Sequence, residues 1–532
     1  LLHDDLLLSN FQDTSADYHM SLLRWHIAVD SWENCQERIT TARNETTMKT
    51  RISSLLAASY LLTLQACSDT PQPPAPATPT TTTTSADQVQ DEQALLDLEI
   101  SLGSAVKRLC SSVHLSGRST EHVMTEELSN LPFARFTFDV QPERVTFSAS
   151  GMMAEAVYRP GLGCTLVKDR SLDELLAGFQ PDRLTRTATP DDAEWPQGNR
   201  VQLPESVPGI DLEAVNRAVA QSFEDMQEDQ NIRTRAVLVV HQGRIIAEQY
   251  AEPFNADMPQ LGWSMTKTVT AALTGMMEAD GLLDIDAPAP VPEWQAADDP
   301  RAAITLKDLM QMSSGLSFSE VYTAGSMSDV ILMLYTTGDT GGFAAVQPLE
   351  HPPGTHFYYS SGTSNIISRI LLQQFDDPHD YFNYPYERLF NPLGMSAAVM
   401  EPDESGVFVG SSYMYATPRD WARFGLLYLQ DGVWNGERLL PEGFIERSIT
   451  PATAPERGNY GFQVWLNAGA PGDPADRPMP NLPDNMFYLS GFEGQNVLMF
   501  PDQDLIVLRM GLTTSGPRPV WTLAERVLAA ME

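Results

Sequence analysis

The sequence predicts an α+β fold: an antiparallel sheet flanked by helices, with an all-helical lobe set between its first and last strands. Three observations carry this. Apolar runs at 236–240 and 245–250, hinged about Gly243, read as a β-hairpin. Helical periodicity then dominates the middle of the chain, at 305–312, 326–335, 364–375 and 418–430, the last capped by Thr417 with Pro418 at its first position. Strand-like runs return at 461–466, 495–500 and 505–510, before a closing helix at 520–531. Strands confined to the two ends of a segment bury their faces most simply by pairing front with back, which leaves the helices between them to form a lobe.

Along the 532 residues, 1–47 show no sustained period and are expected to be a non-native upstream extension. Met48-Lys49-Thr50-Arg51 and the uncharged apolar run 52–64 have the charged head and short hydrophobic stretch of a secretory signal, assigned to 48–66. It ends Leu64-Gln65-Ala66-Cys67, which resembles a bacterial lipobox and makes Cys67 the expected site of lipidation. The linker 67–90 contains a Pro/Ala/Thr run at 71–84 that builds no core and suits a membrane tether. The expected location is therefore the bacterial cell envelope, as a periplasm-facing lipoprotein, with Ser68 after Cys67 leaning towards the outer membrane. Processing would remove Cys35 and occupy Cys67, leaving Cys110 and Cys164, which are predicted to be bridged in an oxidising compartment. A small N-terminal α+β domain is expected over 91–186, with a helix at 92–110 and strands at 133–140, 144–148 and 154–159. A proline-punctuated connector, 187–209, leads to the main domain, 210–532, which opens with a helix at 211–228.

A formal net charge of -36 argues against nucleic acid or an anionic lipid surface as partner, since phosphate binding needs clustered Lys and Arg. The four cysteines show no C-x-x-C spacing, and His351 and His356 flank a Pro-Pro-Gly loop, so no metal or other cofactor is expected.

Chemistry concentrates at Gly262-Trp263-Ser264-Met265-Thr266-Lys267. Val269, Ala272, Leu273, Met276 and Met277 continue it as an amphipathic helix, and a lysine three residues after a serine stands over it. A desolvated amine there can activate the hydroxyl as a nucleophile, with the helix N-terminus favouring the developing anion. The same Ser-x-x-Lys pattern recurs at Ser104-Ala105-Val106-Lys107, where a plain helix is the alternative, so companions must decide. Tyr359, in the loop before a helix, offers a phenol whose pKa a nearby ammonium would lower. Ser490-Gly491-Phe492-Glu493-Gly494-Gln495, read as the start of a strand, offers small residues and backbone N–H groups.

Together, these three segments resemble the class C β-lactamase and penicillin-recognising serine hydrolases over about 210–532, closest to the 6-aminohexanoate-dimer hydrolase branch. Ile304-Thr305-Leu306-Lys307-Asp308-Leu309 with Ser313-Ser314-Gly315-Leu316, and 417–425, add to the likeness. The resemblance implies a serine β-lactamase/transpeptidase-like fold and makes Ser264 the acylated nucleophile, Lys267 its partner and Tyr359 the general base. Backbone N–H groups of Ser264 and Gln495 would form the oxyanion hole, with Ser361, Phe492, Glu493 and Gly494 against a small-molecule ester or amide. Ser361 replaces the family's amide side chain, and Phe492 stands where Lys or His is expected, which weakens the case for β-lactam or D-Ala-D-Ala recognition. A D-Ala peptidase, a weak β-lactamase, and a sensor that acylates without turnover stay open as alternatives. No G-x-S-x-G elbow supports a Ser-His-Asp enzyme.

Overall fold

The structure, a computed structural model, describes residues 86–129, 136–177, 179–228, 231–322, 327–454, 458–514 and 518–531, except for the side chains of 86–91 and 225–228. The expected extension, signal peptide, lipid-bearing Cys67 and most of the linker lie outside the described residues.

A long helix, Ala86–His114, is followed by an antiparallel four-stranded meander of β1 (Thr137–Val140), β2 (Arg144–Ala149), β3 (Met152–Arg159) and β4 (Gly163–Val167). Beyond helix Leu212–Glu228 come β5 (Ile232–His241), β6 (Arg244–Tyr250) and β7 (Gln260–Leu261), the last in a small sheet with β8 (Val399–Met400) and β9 (Met414–Ala416). The two-stranded ribbon of β10 (Val433–Trp434) and β11 (Glu437–Arg438) precedes β12 (Trp465–Leu466), β13 (Phe487–Gly491), β14 (Gln495–Phe500) and β15 (Leu505–Thr513). The main sheet runs β12-β13-β14-β15-β5-β6, entirely antiparallel, so the front hairpin does pair with the last strands.

Strand alternation explains why these strands read as almost unbroken apolar runs. On β5, Ala236, Leu238 and Val240 face the core shared with the helical lobe. Val237 and Val239 face a second core under helices Leu212–Glu228 and Pro519–Ala529. Both faces are covered, each buried aliphatic side chain contributing roughly 1.5–3 kcal/mol. The ends of the domain are tied by Asp211 N–H donating to Ala530 O at 2.8 Å.

Helix Thr266–Ala279 departs from the amphipathic expectation, because its residues 266–277 are all buried. Its threonines make this tolerable: Thr268 donates to Gln463 O at 2.6 Å and Thr274 to Thr270 O at 2.8 Å, leaving those hydroxyls satisfied in the core. The strand expected at 461–466 shrinks to Trp465–Leu466, since Gly461 N–H donates to Val464 O and Gln463 takes a φ of 54° in a tight turn. Ser490–Gln495 does open the expected strand at Gln495, but Ser490 and Gly491 end a preceding strand, so the segment is the hairpin joining β13 to β14.

Residues 99–532 belong to one compact unit. Lys107 is 4% exposed and pairs with Glu401, which also accepts from Ser111 Oγ at 2.8 Å and Cys164 N–H at 2.6 Å. A buried ion pair persists when its remaining lone pairs are satisfied in this way. Cys110 and Cys164 are joined by a disulfide that links the long helix to β4.

Candidate active site

β7 pairs with β9, and Gly262 N–H donates to Met414 O at 2.8 Å, which aims the chain into a 3₁₀ turn, Trp263–Met265, directly ahead of helix Thr266–Ala279. Glycine is required at 262, where a Cβ would come 2.2 Å from the Trp421 ring. Ser264 stands in that turn, half-buried. One helical turn on, Lys267 is 1% exposed, and its Nζ lies 3.1 Å from Ser264 Oγ, 3.0 Å from Ser361 Oγ and 2.9 Å from Ser411 O. Burial pushes the Lys267 amine down to about 8, against a smaller upward pull from the Glu320 carboxylate.

Tyr359 enters from the loop before helix Ser361–Leu372, where Ser360 caps the helix by accepting from Thr363 N–H at 3.2 Å. Tyr358 N–H donates to Met312 O at 2.9 Å and fixes the approach. The Tyr359 ring lies between Lys267, 4.9 Å from its centroid, and Trp465, stacked at 5.1 Å, with the Ser264 side chain beside its hydroxyl. The expectation of a lowered phenol pKa is overturned. Burial and the Glu320 carboxylate push it well above the ordinary tyrosine value, outweighing the downward pull of Ser264 and Arg518.

Ser361 joins the cluster on the Lys267 side. Its hydroxyl donates to Glu320 Oε1 at 2.5 Å and its N–H to Glu320 Oε2 at 2.8 Å, while Tyr322 OH reaches Glu320 Oε1 at 2.6 Å. Glu320 was not found from sequence. The signal available was its position two residues from Tyr322 in an extended segment after Ser313-Ser314-Gly315-Leu316, which lets both side chains share a side.

The remaining expected site residues fall differently. Asn467 N–H donates to Met486 O at 3.0 Å across the β12 edge of β13. By strand parity the peptide groups of Tyr488 and Ser490 turn to that edge, and those of Leu489 and Gly491 turn to β14. Gly491 faces Gln495 across the hairpin, so the Gln495 N–H is directed into the sheet and not brought to Ser264. The Gln495 amide is itself occupied with Gly511, donating to its O at 2.5 Å and accepting from its N–H at 2.9 Å. Gly491 is what lets β13 approach the serine turn, since a Cβ there would lie 2.2 Å from Gly262 O. Phe492 is 36% exposed and stacks on Tyr322 at 5.0 Å. The Glu493 carboxylate is taken up by Arg108 and Trp263 instead of being offered to a substrate, and Gly494 O accepts from Arg509 Nη1 at 2.9 Å. Although β13 carries no cation, Arg518 Nη1 stands 3.2 Å from Ser490 Oγ. Among the described residues, no cluster of three or more His, Cys, Asp or Glu could hold a metal.

A serine in a tight turn, bonded to a buried amine and with a phenol beside it at the rim of an antiparallel sheet, defines the class as a serine hydrolase. The sequence profile of the Beta-lactamase family matches residues 219–530, and the chain belongs to that family. It is similar to the 6-aminohexanoate-dimer hydrolase of Paenarthrobacter ureafaciens, at 22% identity over 57% of this chain and 78% of that one. Among solved structures it is similar to EstCE1, described as a hydrolase with promiscuous acyltransferase activity, at 15% identity and TM-score 0.48 over 59% of this chain and 99% of that one. It is also similar to a β-lactamase from Mycobacterium bovis, at 15% identity and TM-score 0.40 over 58% and 96%.

Proposed function

We propose that this chain hydrolyses a small-molecule ester or amide through an acyl-enzyme on Ser264. The observation that carries the reading is the buried Lys267 amine 3.1 Å from Ser264 Oγ, with no carboxylate at ion-pair distance among the described residues. With its pKa near 8, about a tenth of the amine is neutral at pH 7 and able to take a proton. Lys267 takes the Ser264 proton as Oγ attacks the substrate carbonyl. Strand parity favours the Phe492 N–H, rather than that of Gln495, as the partner of the Ser264 N–H in holding the oxyanion. Tyr359, protonated at neutral pH, gives its proton to the leaving alkoxide or amine and is reprotonated by the Lys267 ammonium beside its ring. Water then attacks the acyl group by the same relay in reverse. The rings near the site, Trp465 stacked on Tyr359 and Phe492 stacked on Tyr322, favour an apolar or aromatic substrate.

Labelling with a fluorophosphonate followed by peptide mapping tests the nucleophile: the label is expected on Ser264, and modification elsewhere would refute the reading. Tyr359→Phe is expected to lower kcat/KM for a short-chain ester by roughly 10²–10⁴-fold with the fold intact. Turnover equal to wild type would remove the phenol from the relay. One observation favours a second reading, a D-Ala peptidase or weak β-lactamase: Arg518 beside Ser490 could receive a substrate carboxylate. Efficient hydrolysis of a chromogenic cephalosporin, in preference to esters and linear amides, would select it.

The proposal includes export and lipidation at Cys67, resting on the lipobox-like ending of the apolar run. Cys67→Ser is expected to move the protein from the membrane fraction to the soluble one, and unchanged membrane association would reject the anchor.

A further inference from the structure

Two residues beside the proposed nucleophile hold backbone torsions that large side chains rarely adopt: Trp263, directly before Ser264, at φ 49°, and Glu493, in the β13–β14 turn, at φ 63°. Such torsions persist only where the surroundings over-determine them. The two residues are bonded to each other, Trp263 Nε1–H donating to Glu493 Oε2 at 3.1 Å, and a third residue holds both. Arg108 donates to Glu493 Oε1 at 2.5 Å, and its guanidinium lies 5.1 Å from the centroid of the Trp263 ring.

Arg108 comes from helix Ala86–His114, outside the stretch matched by the family profile. The helix is fixed on both sides of it. Lys107 pairs with Glu401, and Cys110 is bridged to Cys164, whose own N–H is accepted by Glu401. Neighbouring charges are already matched elsewhere: Arg118 pairs with Glu126 and Glu127, and so does Arg235. Among the described residues Arg108 is thus the cation that meets the Glu493 carboxylate in an ion pair. Without it, that carboxylate keeps one neutral indole donor, and both strained turns lose the group that joins them.

We propose that Arg108 is a positioning residue: through Glu493 and Trp263 it sets the Ser264 turn against the β13–β14 turn, so that a segment outside the family's matched region completes the active site. The proposal rests on the reading of Ser264 as nucleophile and of the Phe492 N–H as its neighbour. The distance between the attacking oxygen and the oxyanion donors is then fixed by a three-residue tie anchored in the long helix. A displacement of about 1 Å at such a centre is enough to cost on the order of 100-fold in rate.

The experiment uses the full-length, disulfide-intact protein and compares Arg108→Met, Glu493→Gln and Lys107→Met. It reads the rate of fluorophosphonate labelling at Ser264, kcat and KM for a short-chain ester, and melting temperature. Arg108→Met and Glu493→Gln are each expected to slow labelling and lower kcat by roughly 10- to 100-fold, with KM changed by no more than about two-fold. Lys107→Met loosens the same helix without touching Glu493 or Trp263, and is expected to keep the wild-type labelling rate well below its melting temperature. Unchanged labelling in Arg108→Met overturns the proposal. So does an equal loss in Lys107→Met, which would mean that the helix acts only by being docked. If Arg108→Met does not fold, Glu493→Gln, which keeps the side-chain volume, carries the same comparison. Wild-type protein that is not labelled at Ser264 would strike at the nucleophile reading, a result distinct from either of these.

Discussion

Ser264→Ala is expected to bring hydrolysis of every ester and amide in a substrate panel down to the buffer rate, a loss of roughly 10³- to 10⁶-fold in kcat, with little change in melting temperature. The structural cost is small because Ser264 is half-buried in a short turn, and alanine removes only a hydroxyl. The chemical cost is large because that hydroxyl is the proposed nucleophile, bonded to Lys267 and beside Tyr359. Residues acting as one unit are not additive, so the double variant Ser264→Ala/Lys267→Met should be no slower than Ser264→Ala alone. Steady-state turnover and label mapping check both statements, and a variant that keeps a tenth of the wild-type rate would displace Ser264. Wild-type protein releasing product in one stoichiometric burst, without turnover, would instead place the chain with the acylated sensors.

The competing Ser104-x-x-Lys107 pattern shows why a motif alone could not decide. Both lysines are buried, and burial lowers both amines. Lys107, however, is paired with Glu401 and bonded to Ser111 at 2.9 Å, so its proton is held by a carboxylate. Among the described residues, Lys267 hydrogen-bonds to two hydroxyls and a carbonyl and to no carboxylate. Sequence spacing does not see the carboxylate, because Glu401 is distant along the chain. The main sheet was legible because apolar runs and turn residues are local signals, and its front-to-back pairing followed from where the strands stood. β13 was not, since its five residues end in Ser-Gly and resemble a turn. The resemblance put the oxyanion donor on Gln495, and only the register of β13 against β12 and β14 tells which peptide groups face outward. Glu320 and Arg108 were missed for a related reason: each gains its role from a contact made in space, with Ser361 and with Glu493.

Lys267→Met separates the chemical role of the amine from its structural cost. With a folded pKa near 8 and an ordinary value of 10.5, the lysine is charged in both states below pH 8, and the fold carries the full penalty of burying the ammonium. Between pH 8 and 10.5 the folded state has lost the proton and the unfolded state has not, so wild-type stability gains from this group as pH rises. Above 10.5 the penalty is gone. The shift corresponds to about 3 kcal/mol at most. Losing the bond to Ser411 O offsets about 1 kcal/mol of that in the methionine variant. Lys267→Met should therefore be inactive yet about 1–2 kcal/mol more stable than wild type at pH 7, the difference closing as pH approaches 10.5. Denaturant unfolding at a series of pH values measures it. The wild-type kcat/KM should rise with pH to a plateau above an apparent pKa near 8, because only the neutral amine can accept the serine proton. A methionine variant less stable than wild type at neutral pH, or a flat rate profile across that range, would mean that Lys267 is held there as a structural cation and that the serine draws its base from elsewhere.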